Sequence, residues 1–90
     1  MDLTEIRKQI DSLDKEIVAL MEKRMQLVDQ VAAYKQETGK AIFDPEREQV
    51  LLAKVANLVE EKSYQATIVS NFESMMAHSR AYQSQKLGKR

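Results

Sequence analysis

From Leu3 to about Glu37 the chain carries neither glycine nor proline, and its apolar residues hold one helical face. Ile6, Ile10, Leu13, Ile17, Leu20, Leu27, Val31 and Tyr34 fall at the alternating steps of four and three that make a coiled-coil seam, with one place missed. Asp2 reads as the N-cap, with Glu5 three residues on to complete a capping box. Thr38-Gly39 ends the run, with Gly39 as the left-handed C-cap residue. A helix of about 34 residues is about 50 Å long. A compact chain of 90 residues has a radius of gyration of only about 12 Å. Its own chain therefore cannot cover the seam, which predicts a second copy against it in a twofold dimer.

The missed place in the seam, between Leu20 and Leu27, is Arg24. A cation on an apolar face is costly unless something negative meets it. Lys35 lies eleven residues further on. Eleven residues make about three turns, so the two cations share a direction about 16 Å apart along the axis, and both are long enough to lean together. Two readings stay open. Arg24 meets a glutamate from a neighbouring helix, as structural ion pairs commonly do, or the two cations grip a small dianion.

Composition narrows the function classes. Fourteen basic and fourteen acidic residues give a formal net charge of zero, against the clearly basic balance of a general nucleic-acid binder. There is no cysteine, so disulfides and thiolate metal sites are excluded, and the single histidine, His78, cannot build a histidine-rich metal site. No apolar run is long enough to span a membrane. The opening MDLTEIRKQI is amphipathic and carries acidic residues, unlike a signal peptide, which gives a cytoplasmic protein as the expectation.

The remainder reads as two shorter helices in a single domain over residues 1–90. Lys40 to Phe43 connect. Asp44-Pro45-Glu46 is a strong helix start, with Asp at N-cap and Pro at N1. The second helix is expected over about 45–60, with Leu51, Val55 and Leu58 on one face and Glu48 at its start. Ser63 is the expected N-cap of a third helix over about 64–85, striped by Ile68, Val69, Phe72, Met75 and Met76. Ser79 and Gln83 continue that stripe where apolar residues would be expected. Residues 86–90 read as a frayed basic tail.

Arg24, Lys35, Asp44, Arg47, Glu48, Ser79 and Gln83 interrupt apolar faces or sit at helix starts. Each has a structural explanation by itself: Asp44 as a cap, Arg47 and Glu48 as solvated first-turn residues, Ser79 and Gln83 as water-facing. Together they suggest a polar pocket between helices. Arg7 flanks the seam 17 residues before Arg24, about 25 Å away on the same helix. It could reach a shared pocket only from the other chain of an antiparallel dimer; otherwise it makes a surface pair with Asp11.

These residues carry a resemblance. Leu3 to Arg24 reads L-x-x-I-R-x-x-I-D-x-L-D-x-x-I-x-x-L-x-x-x-R, followed by Lys35, by Asp44-Pro-Glu-Arg-Glu48 and by Ser79-x-x-x-Gln83. The whole resembles the all-helical chorismate mutases across essentially the entire chain. The resemblance implies an all-α fold of three helices per chain, the first very long, in an intertwined homodimer with two active sites. It implies rearrangement of chorismate to prephenate on the way to phenylalanine and tyrosine. Arg24, with Arg7 of the other subunit and help from Ser79, would hold the substrate carboxylates. Lys35 and Gln83 would hydrogen-bond the ether oxygen, Glu48 and the region of Asp44 would take the ring hydroxyl, and Arg47 would line the site. Lys35, Gln83, Arg24 and Glu48 would be the catalytic set. The reaction is a unimolecular pericyclic rearrangement, so no metal and no other cofactor is expected. Two rivals remain: an isochorismate pyruvate-lyase on the same fold, and a non-catalytic helical dimerisation or regulatory module.

Overall fold

The computed structural model describes residues 2–88. Three α-helices, α1 (Leu3–Thr38), α2 (Pro45–Leu58) and α3 (Gln65–Lys86), are joined by an extended connection and by a short 3₁₀ turn, Lys62–Tyr64. Among the described residues there is no strand, and no helix is long and apolar enough to cross a membrane. The molecule is all-α.

α1 begins and ends where its sequence requires. The Asp2 carboxylate accepts the Thr4 amide at 3.0 Å, and Gly39 closes the helix at φ 75°. The capping box is only half made, because the Glu5 carboxylate turns to Lys8, one turn on, rather than back to the cap. α2 starts on the Asp44 carboxylate, which accepts the Arg47 amide at 3.1 Å, with Pro45 in the first turn.

α2 stops at Leu58, two residues short of the expected end. Val59 is extended and buried, and Leu58, expected on the buried face, is 72% exposed. The carbonyls freed at that end find side-chain donors. The Lys62 ammonium reaches Val59 O at 2.6 Å, and the Gln65 amide reaches Ala56 O at 2.8 Å. Ser63 is not a cap. It sits inside the 3₁₀ turn and donates its amide and hydroxyl to Glu61, which does the capping. Those two hydrogen bonds hold the Glu61 carboxyl below its ordinary range. Lys86, assigned to a frayed tail, is the last residue of α3, and Leu87-Gly88 form a turn onto the Gln83 and Gln85 carbonyls. The rest of that tail lies outside the described residues.

α3 packs against both α1 and α2, while α1 and α2 do not pack on each other. The buried apolar residues are Val28 and Ala32 of α1, Val55 and Val59, and Met76 of α3. Ala32, with no exposed surface, lets α3 approach α1 closely. A second tie joins the same helices: the Asp29 carboxylate accepts the Tyr82 hydroxyl at 2.6 Å and the Lys86 ammonium at 2.9 Å.

α1 therefore has two apolar faces. Its own chain covers the one through Val28 and Ala32. Ile10, Leu13, Ile17, Leu20, Leu27, Val31 and Tyr34 of the coiled-coil seam remain exposed, Leu20 at 63%. The chain is accordingly drawn out, with extents of 54 × 24 × 19 Å and a radius of gyration of 16.1 Å. That exceeds the roughly 12 Å of a compact domain of this size.

Candidate active site

α1, the α1–α2 connection, α2 and α3 together line a cavity of about 330 Å³, at the small end of ligand pockets. Leu27, Val28, Val31, Leu51 and Met76 supply its apolar wall. Its polar wall holds seven of the eight residues that the sequence singled out: Arg24 and Lys35 from α1, Asp44, Arg47 and Glu48 from the start of α2, and Ser79 and Gln83 from α3. Helical spacing explains the convergence. Residues 24 and 35 fall on one side of α1, and residues 76, 79 and 83 on one side of α3.

Arg24 is half-buried, and its guanidinium donates to the Ser79 hydroxyl at 3.3 Å. The Lys35 ammonium donates to the carbonyl of Ile42 in the connection. Neither cation makes an ion pair among the described residues. Among the described residues of this chain, no glutamate pairs with Arg24. Both partners are neutral, and a guanidinium with five N–H groups and an ammonium with three retain donors for a ligand.

Gln83 is buried, and its amide oxygen has no hydrogen-bond partner among the described residues. Leaving such a group unpaired costs about 1–3 kcal/mol, so the amide has capacity for a further hydrogen-bond partner. A half-turn of the amide would offer its NH₂ to the cavity instead, since the two orientations are nearly isosteric. Ser79, also buried, is held by Arg24.

The sequence pattern did not single out Arg80. Its guanidinium lines the cavity, forms an ion pair with Glu48 Oε1 and lies over the Phe43 ring at 4.7 Å from the centroid. The signal was present: Met76, Ser79, Arg80 and Gln83 follow the i, i+3, i+4, i+7 rule of one helical face. The backbone carbonyl of Ile42 is a second participant that no side-chain pattern reports. With Arg80, four cations face two carboxylates, a surplus of two positive charges around a small cavity.

Arg7 lies outside this cavity and is exposed near the far end of α1. It makes no ion pair with Asp11 among the described residues.

Two cations without ion pairs among the described residues, Arg24 and Lys35, and a buried amide, Gln83, thus converge on one small pocket of a helical chain. Residues 6–84 match the family described as chorismate mutase type II, and the chain belongs to that family. It is 36% identical over 86 residues to the chorismate mutase of Methanocaldococcus jannaschii, covering 94% of this chain and 87% of that protein. A bifunctional chorismate mutase/prephenate dehydratase of Buchnera aphidicola is 31% identical over 86 residues, 96% of this chain but 22% of its own length. The T-protein of Haemophilus influenzae is 46% identical over 50 residues, 56% of this chain and 13% of that protein. The chain thus spans most of the archaeal relative and under a quarter of each of the other two. No solved structure matches it significantly.

Proposed function

We propose that the cavity holds chorismate and promotes its pericyclic rearrangement to prephenate. The chain is an isomerase of aromatic amino acid biosynthesis, a chorismate mutase. The observation that carries the substrate assignment is the pair Arg24 and Lys35: two cations on one wall, each tied only to a neutral oxygen, in a pocket with a surplus of two positive charges. That is the complement of a small dianion.

The rearrangement needs the substrate's enolpyruvyl arm folded over its ring. Gripping both carboxylates converts a flexible dianion into that near-attack arrangement, the entropic part of catalysis. Arg24, steadied by Ser79, takes one carboxylate. As the ether bond breaks, negative charge develops on its oxygen, and donors aimed there strengthen in the transition state. Lys35 supplies a cation at that oxygen, and Gln83, with its amide turned to present NH₂, supplies a neutral donor. The second oxygen of Glu48 accepts the ring hydroxyl beside Asp44, and Arg47 closes the rim.

The working unit is a twofold homodimer in which the exposed seam of α1 packs on its copy. In that dimer the partner subunit's Arg7 reaches this cavity and completes the grip on the dianion. On the same reading the chain acts as a single domain, without a cofactor, in the cytoplasm.

Product analysis tests this reading. Purified protein incubated with chorismate should yield prephenate and no pyruvate, and isochorismate should be a poor substrate. Faster release of pyruvate from isochorismate than loss of chorismate would replace the mutase with a lyase. No turnover of either by folded protein would leave a helical binding module.

A further inference from the structure

We infer that Arg80 is a positioning residue, which holds the Glu48 carboxylate in place against the cavity so that its free oxygen meets the substrate's ring hydroxyl. The inference rests on the chorismate reading for that hydroxyl, but the contacts it invokes belong to the chain itself.

Glu48 sits in the first turn of α2, where a glutamate would ordinarily extend into water. Here its side chain is only 20% exposed, and that of Arg80 32%. Arg80 bonds Oε1, and Oε2 has no protein partner among the described residues. A carboxylate has room for several donors on its two oxygens. The ion pair therefore uses one oxygen and leaves the other available to the cavity.

Arg80 is itself fixed from a third element. The Phe43 ring, at the end of the α1–α2 connection, lies 4.7 Å from the centre of the guanidinium, the geometry of a cation–π contact. Phe43, Arg80 and Glu48 thus form a continuous strap from the connection, through α3, to α2. A planar guanidinium can stack on a ring and pair with a carboxylate at once, which a lysine ammonium does less well. The other charged groups around Glu48 are Arg24 and Lys35 from α1 and Asp44 and Arg47 from its own helix start. Arg80 is the one that forms an ion pair with it.

The ring hydroxyl is remote from the breaking ether bond. Holding it should stabilise substrate and transition state alike, so its loss should appear in KM rather than kcat. The test is a double-mutant cycle on the full chain with Arg80→Met and Glu48→Gln, each checked for folding by circular dichroism. R80M alone should raise KM for chorismate about tenfold, with kcat within about twofold of wild type, the scale of one well-made polar contact to substrate. In the E48Q background the same substitution should change KM by less than about twofold, because there is no carboxylate left to hold. An equal factor in both backgrounds would overturn the inference and make Arg80 a direct ligand of the substrate or a source of general positive field. A fall in kcat with unchanged KM would also overturn it. Should R80M fail to fold, R80A is measured on the same criteria. A crystal structure of the variant reads the contact without substrate: the Glu48 carboxylate should leave its place on the cavity wall, and a carboxylate that stays put refutes the inference. Absence of chorismate turnover in wild type would count against the proposed function alone, leaving the structural comparison to decide the role of Arg80.

Discussion

Arg7 and Arg24 lie on one continuous helix, Leu3–Thr38, 17 positions apart. At 1.5 Å per residue the separation is about 25 Å, far more than one small dianion can bridge. If both arginines grip the same substrate, they come from different subunits. Removing either charge by Arg7→Ala or Arg24→Ala should cost about 2–4 kcal/mol of binding to the dianion, a thirtyfold to thousandfold loss. Each variant homodimer is damaged at both of its sites. In a mixed dimer one site receives both substitutions and the other receives neither. The two inactive variants are unfolded, combined at equal concentration and refolded, and chorismate consumption is then assayed. Random pairing makes about half of the dimers mixed, each with one intact site, so about a quarter of wild-type activity should return. No recovery, with mixed dimers confirmed by native mass spectrometry, would refute a shared site. Recovery without any dimer would refute the reasoning from helix length.

Three further outcomes follow from particular contacts. Lys35→Ala should lower kcat at least about a hundredfold with the helical circular dichroism unchanged, the scale of one lost transition-state donor; near-normal turnover would mean that the ether oxygen is held elsewhere. Met76→Ala, at one of the few buried apolar positions, should cost about 2–5 kcal/mol in urea unfolding. The Asp29 carboxyl lies below its ordinary value of 3.8 because the Tyr82 hydroxyl and then Lys86 bond its charged form. A carboxyl lowered in the folded state stabilises the fold above its unfolded pKa, and that contribution is lost as pH falls through the folded value. Wild type should therefore exceed Asp29→Asn in stability at pH 5–7, by a small margin for so exposed a group. The two should converge as pH falls below about 4, as thermal melts across that range would show.

The helices and most of the residues lining the candidate site were legible in the sequence for the same reason: both are written as local contrasts. Asp2, Gly39 and Asp44-Pro45 act within one turn of themselves, so the limits they set match the structure closely. The end of α2 is different. It depends on Lys62 and Gln65 folding back onto the Val59 and Ala56 carbonyls, beyond the reach of a periodicity argument. Glu61 rather than Ser63 caps the next turn because its longer side chain can take both the amide and the hydroxyl of Ser63.

Arg24, Lys35, Ser79 and Gln83 announced themselves by replacing apolar residues on apolar faces. Arg80 did not, because an arginine beside a stripe on a surface helix usually solvates it. Only the approach of Phe43 and Glu48 from other elements gives it a place in the cavity. The long seam of α1 was legible as apolar and, from its length, as more than its own chain could cover; the second apolar face, through Val28 and Ala32, was not. A helix with two apolar faces does not say which one its own chain will use, and Val28 with Ala32 won because the small Ala32 admits α3.

The most direct measurement is the loss of chorismate absorbance after adding purified protein in buffer containing a chelator and no cofactor. The expected result is first-order conversion to prephenate, one for one, accelerated at least about a millionfold over the spontaneous reaction and indifferent to the chelator. No acceleration by a folded protein, or acceleration only after a metal or redox cofactor is supplied, would contradict a pocket that works by gripping a dianion and stabilising charge on its ether oxygen.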